Sequence, residues 1–284
     1  MKMIIFNNIV GFKNHLRKLK NDNKTIGFVP TMGALHDGHT SLIKKSVLEN
    51  DYSVVSIFIN PTQFNNINDY ESYPINISRD IELLDSISEN IILFRPDTEE
   101  IYSGKVVSDS YDFGDLDKYM EGEYRKGHFQ GVATVVNKLF EIVSADNVYF
   151  GEKDFQQLRI IEDLVQKNGY KLNIIRCKTI RQNDGLALSS RNKKLDIYSQ
   201  NIATNLFKAL SFAKKNFDTL DLEIIYSKVD DLLQNFPQIS VDYFAIADEN
   251  DLKPIKQKKK NQKYRAFIAA DISGVRLIDN IKLY

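Results

Sequence analysis

The chain has 284 residues, 43% hydrophobic and 27% charged, with 38 Lys+Arg cancelling 38 Asp+Glu. That composition is globular and long enough for two domains, and without a basic excess it argues against a nucleic-acid binder. Its one cysteine, Cys177, rules out an internal disulfide, and no apolar run approaches the roughly 18 residues needed to span a bilayer.

The start, MKMIIFNNIVGFKNHL, has only a brief apolar patch and no cleavage pattern, so a cytoplasmic protein with no membrane partner is expected. Strands are predicted at 27–30, 53–59, 91–95, 147–150 and 172–178, with helices between them at 40–50, 78–88, 132–143 and 155–167. The cleanest helical signal is the spacing of Val132, Val135, Val136, Leu139, Phe140 and Val143, which fills one face at a 3.6-residue period. Alternating strands and helices predict an α/β fold, a Rossmann-like parallel sheet with helices on both faces. Cys177, inside the last of these strands, reads as a small buried apolar residue.

The last third differs. Helices near 197–214 and 222–234 precede strands at 241–247, 264–272 and 275–278, with Asp271-Ile272-Ser273-Gly274 as a hairpin turn. A small α+β C-terminal domain with an antiparallel sheet is expected, giving domains 1–180 and 181–284 and a boundary near 179–181. The basic run 256–263 reads as a solvated loop rather than an anion site. The acidic, aromatic stretch 109–123 reads as a long loop or irregular edge, with a dimer contact as a guess.

In a parallel sheet ligands sit beyond the carboxyl ends of the strands, so the segments after predicted strands carry the chemistry. After the first comes TMGALHDGH, a glycine-containing turn into a helix with His36 and His39 at its mouth. Unpaired N–H groups and the helix dipole favour a phosphate there, and imidazoles can donate to charge growing on a breaking phosphate ester. The plainer reading, a surface histidine pair capping a helix, is about as good for two histidines alone, as short motifs are weak.

After the second strand, Asn60 and Gln63 offer amides suited to a substrate bearing hydroxyls or a carboxylate. After 147–150 come Gly151, Glu152, Lys153, Asp154 and Gln157. Lys153 and Gln157 are four apart and so share one helix face. Lys153 suits a phosphate, Asp154 a ribose hydroxyl and Gln157 a substrate, and a capped, salt-bridged helix start explains the segment as well. After the strand at 172–178, Ser189, Ser190 and Arg191 form a compact phosphate clamp or an ordinary polar turn. His15 reads as a surface residue of the first helix, and His128 is ambiguous.

Together the segments PTMGALHDGH, VVSIFINPTQF, GHFQGVATVVNKLF, YFGEKDFQQL and DGLALSSRN resemble the pantoate–β-alanine ligase (pantothenate synthetase) family. The histidine element alone marks the wider HxGH nucleotidyltransferase superfamily; NPTQF, GEKD and SSRN are far more specific. The resemblance implies a two-step reaction: pantoate attacks the α-phosphate of ATP with Mg²⁺ assistance, and β-alanine then displaces AMP from pantoyl adenylate. It implies that Met32, Gly33, Ala34, Leu35, His36, Asp37, Gly38 and His39 form an ATP loop, with His39 and His36 catalytic. Gly151, Glu152, Lys153, Asp154, Ile180, Leu188, Ser189, Ser190 and Arg191 would contact ATP as well. Gln63 and Gln157 would hold pantoate, with Asn60 in support. Mg²⁺ would be held largely by phosphate oxygens, with Asp80 as an outer-shell candidate, and the family is usually a homodimer.

The chain departs from the family pattern at Tyr73-Pro74-Ile75-Asn76, where Tyr-Pro-Arg-Thr is common, and at Arg181-Gln182, where Arg-Glu is common. Two alternatives remain: an adenylyltransferase acting on a phosphorylated substrate, which would need more basic residues, and a catalytically silent nucleotide-binding regulator.

Overall fold

The structure, a computed structural model, describes residues 3–284. Among these the chain divides into two compact units. The first holds the chain up to Phe113 together with Arg125–Glu152 and Ile160–Lys178. The second holds Gly114–Tyr124, Lys153–Arg159 and Thr179–Tyr284.

Strands β1 (Ile4–Phe6), β2 (Ile26–Thr31), β3 (Tyr52–Ile57), β4 (Ile91–Phe94), β5 (Asn147–Gly151) and β6 (Asn173–Cys177) make a parallel sheet in the order β1-β4-β3-β2-β5-β6. The helices are α1 (Ile9–Asn21), α2 (Asp37–Glu49), α3 (Ile67–Glu71), α4 (Ile77–Ile87), α5 (Thr98–Tyr102), α6 (Glu121–Tyr124), α7 (His128–Val143) and α8 (Phe155–Asn168). Alternate residues of each strand serve opposite faces. Val29, Val55 and Leu93 pack with Ile43 of α2 and Leu84 of α4 on one face. On the other, Phe12 of α1 stacks on Phe94 with ring centres 4.3 Å apart.

The predicted parallel sheet is present, and β1 adds an edge strand that the sequence reading did not include. Three residues are too short a run to display alternation, and β1 exists only through its register with β4. His15, expected at the surface, is half-buried against Phe6 with ring centres 5.3 Å apart, and that burial holds its pKa below the ordinary histidine value. Cys177 is buried as expected, and desolvation raises its thiol to about 11.

The second unit is built on β7 (Ile239–Asp248), β8 (Tyr264–Ile272) and β9 (Val275–Lys282), an antiparallel sheet in that order. Helices α9 (Ile197–Asn216) and α10 (Leu222–Gln234) supply Ile202, Leu206, Leu210, Ile225 and Val229 to a core closed by Ile246, Ala266 and Ile268. The predicted hairpin turn is there: Ile272 pairs with Val275, and Asp271 Oδ1 accepts from the Gly274 N–H at 2.8 Å.

The acidic stretch 109–123 is not simply a solvated loop. Its Glu121 is 5% exposed and pairs bidentately with Arg276 at 2.7 and 2.8 Å, while the Tyr243 hydroxyl donates to it at 2.9 Å. Desolvation, reinforced by the neighbouring Glu121 charge, raises the Tyr243 pKa well above the usual phenol range. The basic run leading into β8 is largely exposed, yet Lys258 lies over the Phe217 ring and donates to the Phe217 and Leu220 carbonyls beyond the end of α9.

Candidate active site

β2 ends at Thr31, and its hydroxyl accepts from the Gly33 N–H at 3.1 Å while donating to the Ser56 carbonyl at 2.7 Å. Gly33 then adopts φ +82°, and a Cβ there would meet Ile57 Cγ2 at 3.0 Å and Asp80 Oδ2 at 3.1 Å. Both conditions call for glycine. Asp80, 1% exposed on α4, accepts from the Ala34 N–H at 2.9 Å with one oxygen and from the Leu35 N–H at 2.8 Å with the other. Ala34 and Leu35, with side chains buried and N–H groups on Asp80, give the loop its shape. They do not offer donors outward.

His36 is the N-cap of α2, and its Nδ1 accepts from the Gly38 N–H at 3.1 Å. That bond leaves the imidazole proton on Nε2. His39 follows within the first turn, with the two rings 4.1 Å apart and tilted by 40°. The plain capping role is therefore present: one ring nitrogen of His36 closes the helix, and the other is a donor near the positive end of the dipole. Asp37 is exposed, while Met32, Gly38 and both histidines are half-buried.

The loop after β3 is brought against this turn, and the Gln63 Nε2 lies 3.0 Å from the Met32 Sδ. Asn60, 1% exposed, donates from Nδ2 to the Gly131 carbonyl at 3.1 Å and to Gln63 Oε1 at 3.2 Å. Its Oδ1 accepts from the Tyr102 hydroxyl at 2.5 Å and from Thr62 at 3.1 Å. Both ends of the amide are thus engaged within the protein. Burial, foremost, raises the Tyr102 pKa and keeps the phenol a donor.

The ambiguity of His128 is resolved by its partners. Its Nδ1 lies 2.7 Å from the Gln63 carbonyl, which only accepts, so the proton is on Nδ1 and Nε2 accepts from Arg125 at 3.0 Å. Gly131 lets α7 close on this loop, because a Cβ would lie 2.2 Å from the Thr62 carbonyl oxygen. The sequence reading missed Tyr102, Arg125 and this role of His128. Their only signal was aromatic and basic residues in unassigned chain, 40–70 positions from the loop they hold.

Gly151 closes β5, and Glu152–Asp154 form a single 3-10 turn ahead of α8. Lys153 therefore precedes α8 and does not share an α-helical face with Gln157, as predicted from their spacing. The glycine end of the strand leads into a tighter turn first. The Lys153 side chain is 19% exposed, lies 3.7 Å from Asp154, and its backbone carbonyl accepts from Asn280 at 2.7 Å. Asp154 and Gln157 are half-buried. The buried neighbour Gln156 instead fastens the 114–124 segment, bonding to Leu116, Tyr119 and Glu121.

In the same unit Ile180 and Leu188 are joined by a 3.0 Å backbone bond, and Arg181 grips Asp279 at 2.5 and 2.8 Å and stacks on Phe207. Ser189 caps the 3-10 turn Ser190–Lys194 by accepting from the Arg191 N–H at 3.2 Å. Lys153, Ser189 and Asn192 line one small cavity with Asp279. Asn192 donates to the Ala187 carbonyl at 3.0 Å, and its Oδ1 is buried without a hydrogen-bond partner among the described residues. Asn192 directly follows Ser189, Ser190 and Arg191, and the sequence reading gave it no role. Its side-chain bond to Ala187, five positions back, is a fold-level fact that spacing does not display.

Similarities to known proteins follow this geometry. The family profile described as pantoate-beta-alanine ligase matches residues 4–282. A pantothenate synthetase of Flavobacterium psychrophilum is 47% identical over 281 residues, 99% of this chain and 100% of that protein. One from Christiangramia forsetii is 46% identical over 268 residues, covering 94% and 95%. Among solved structures, the pantothenate synthetase of Thermus thermophilus superposes with a TM-score of 0.92 at 35% identity, covering 99% of this chain and 100% of that one. The pantoate-beta-alanine ligase of Francisella tularensis, solved with beta-gamma ATP and beta-alanine, gives 0.82 at 40% identity, covering 99% and 98%.

Proposed function

We infer the reaction from membership: the chain belongs to the pantoate–β-alanine ligase family, matched from residue 4 to residue 282. It joins pantoate to β-alanine at the expense of ATP, giving pantothenate, AMP and pyrophosphate through pantoyl adenylate. That near-complete match, with a relative 47% identical along almost its whole length, is the observation that carries the conclusion.

In the first step a pantoate carboxylate oxygen bonds to the α-phosphorus and the bond to pyrophosphate breaks. The substrate is itself the nucleophile, so the protein's task is alignment and charge stabilisation. We assign His39 and His36 to the negative charge developing on the phosphate; the proton on His36 Nε2 supports that role. In the second step the β-alanine amine bonds to the acyl carbon, loses a proton, and AMP leaves.

Gln63 and Gln157 are assigned to pantoate, with Asn60 behind Gln63. Lys153, Asp154, Ser189, Ser190 and Arg191 are assigned to ATP with Met32–His39, Gly151, Glu152, Ile180 and Leu188. We place the ATP- and pantoate-binding domain at residues 1–180 and the lid at 181–284. We propose that Mg²⁺ enters with the triphosphate; Asp80, the outer-shell candidate, already holds backbone N–H groups with both oxygens. Phosphate oxygens and water are its natural ligands. A cytoplasmic homodimer is the assembly we propose; no helix of the described residues is long and apolar enough to cross a membrane.

The test is to incubate the protein with ATP and pantoate, with and without β-alanine. The ligase gives sustained AMP release only when both acids are present. AMP release indifferent to β-alanine points to a different adenylyltransferase, and ATP binding without turnover points to a silent regulator. A structure with a pantoyl-adenylate mimic tests these assignments directly: Lys153 or Arg191 without contact to the bound phosphates would refute theirs.

A further inference from the structure

A single 3-10 turn carries Lys153, and such turns have poorer hydrogen-bond geometry than an α-helix and little support of their own. The support comes from β8 and β9. Asn280 of β9, 3% exposed, donates from Nδ2 to the Lys153 backbone carbonyl at 2.7 Å. Arg265 of β8 sets the direction of that amide. A guanidinium only donates, and Arg265 Nη1 lies 2.6 Å from Asn280 Oδ1, so the amide nitrogen is left facing the lysine carbonyl. Arg265, also 3% exposed, is held in turn by Glu249 at 2.8 Å, and its guanidinium lies 3.9 Å from the centre of the Phe155 ring. Phe155 is buried two residues beyond Lys153. One buried cation therefore grips this stretch of backbone at two points. Asp279, which lines the same cavity as Lys153, is engaged elsewhere: its oxygens take Arg181 at 2.5 and 2.8 Å and the Asn280 N–H at 2.7 Å. Apolar residues of similar volume often stabilise a core as well as a buried ion pair does. What the pair orients is the better explanation for it.

We propose that Asn280, oriented by the buried Arg265, is a positioning residue that fixes the backbone of Lys153 and so aims its ammonium group at a phosphate of ATP. The inference rests on the assignment of Lys153 to ATP and adds to it the residues that hold the lysine in place. A lysine is a point charge on a flexible four-carbon stem with much rotamer entropy to lose. A root that also moved would spread the ammonium over a wider volume and weaken each phosphate contact. Asn280 and Arg265 act through the turn and need touch no nucleotide.

The experiment measures, by calorimetry, binding of an α,β-methylene ATP analogue with Mg²⁺ to wild-type protein, Asn280→Ala, Lys153→Gln and the double variant. Asn280→Ala is expected to weaken binding roughly tenfold, the scale of one hydrogen bond to a charged group. In the Lys153→Gln background the same change should cost less than about twofold, since the group it positions is gone. General loosening of the second unit would cost the same factor in both backgrounds. Equal losses therefore overturn the proposal, as does an Asn280→Ala protein that binds like wild type. Should Asn280→Ala fail to fold, judged by circular dichroism, Asn280→Ser, whose hydroxyl stops one bond short of the amide nitrogen, carries the same test. Loss of the fold in both makes Asn280 a structural residue and overturns the proposal too. A Lys153→Gln protein that binds as tightly as wild type overturns the assignment of Lys153 to ATP instead.

Discussion

Asp80 fixes Ala34 in the left-handed backbone region, at φ +52°, through a 2.9 Å hydrogen bond from the Ala34 N–H to the buried carboxylate. That region costs a residue with a Cβ on the order of 1 kcal/mol, and a charge-assisted bond contributes about 1.5–3 kcal/mol, so the carboxylate wins and the loop keeps its turn. In Asp80→Asn the amide brings a donor against one of two N–H groups. The Michaelis constant for ATP is expected to rise about tenfold or more on that scale, with the Mg²⁺ requirement unmoved. A shift in Mg²⁺ half-saturation alone, in pyrophosphate-release assays, would return Asp80 to the metal.

His39→Ala removes a donor beside the capping histidine. The adenylation rate should fall roughly 10²–10³-fold, the usual effect of losing one such group. Quenched-flow measurement of the pyrophosphate burst reads it, and an unchanged burst removes His39 from the chemistry.

Gly131→Ala puts a methyl group 2.2 Å from the Thr62 carbonyl oxygen, backbone against backbone. Overpacking of that kind typically costs about 1–3 kcal/mol. Urea unfolding should show the loss. Pantoate binding should weaken with it, because α7 can no longer close on the Asn60–Gln63 loop.

Arg276→Met leaves Glu121 buried without its bidentate partner and takes Asp242 Oδ2 from its 2.7 Å bond. Breaking a buried pair costs about 3–5 kcal/mol; because Arg276 is 29% exposed, roughly 2–4 kcal/mol is the better figure. Thermal unfolding followed at the second unit should move down accordingly. An unshifted transition would mean that the 114–124 segment is held by Gln156 alone.

Cys177 has a folded pKa of about 11 against an ordinary 9.0, because burial penalises the thiolate. A raised pKa contributes stability in full below 9 that is lost as pH rises from 9 through 11. At pH 8 the native thiol should resist Ellman's reagent and react quickly only in guanidinium. Rapid modification of folded protein would contradict the buried strand position.

Much of this protein was legible from the chain. The period-two and period-3.6 patterns located the principal strands and helices, since a half-buried strand and an amphipathic helix each repeat apolar residues at their own pitch. The PTMGALHDGH segment announced its strand, turn and helix because glycine, capping and dipole effects act within ten residues. Where the reading fell short, the cause was distance or brevity. β1 is three residues long. Lys153 sits on a 3-10 turn that a spacing of four cannot distinguish from an α-helix. Glu121, read as part of an acidic loop, is an internal ion-pair partner 155 positions from Arg276.

The sequence by itself determined the fold class, the family and the residue types available for phosphate and acid recognition. Only the tertiary structure decided how those groups point. Asp80 faces backbone N–H groups rather than solvent, His36 carries its proton on Nε2, and the Asn60 amide is turned by a carbonyl from α7. Orientation depends on hydrogen-bond partners contributed by elements far apart in the chain, and no local pattern encodes which end of an amide meets which neighbour.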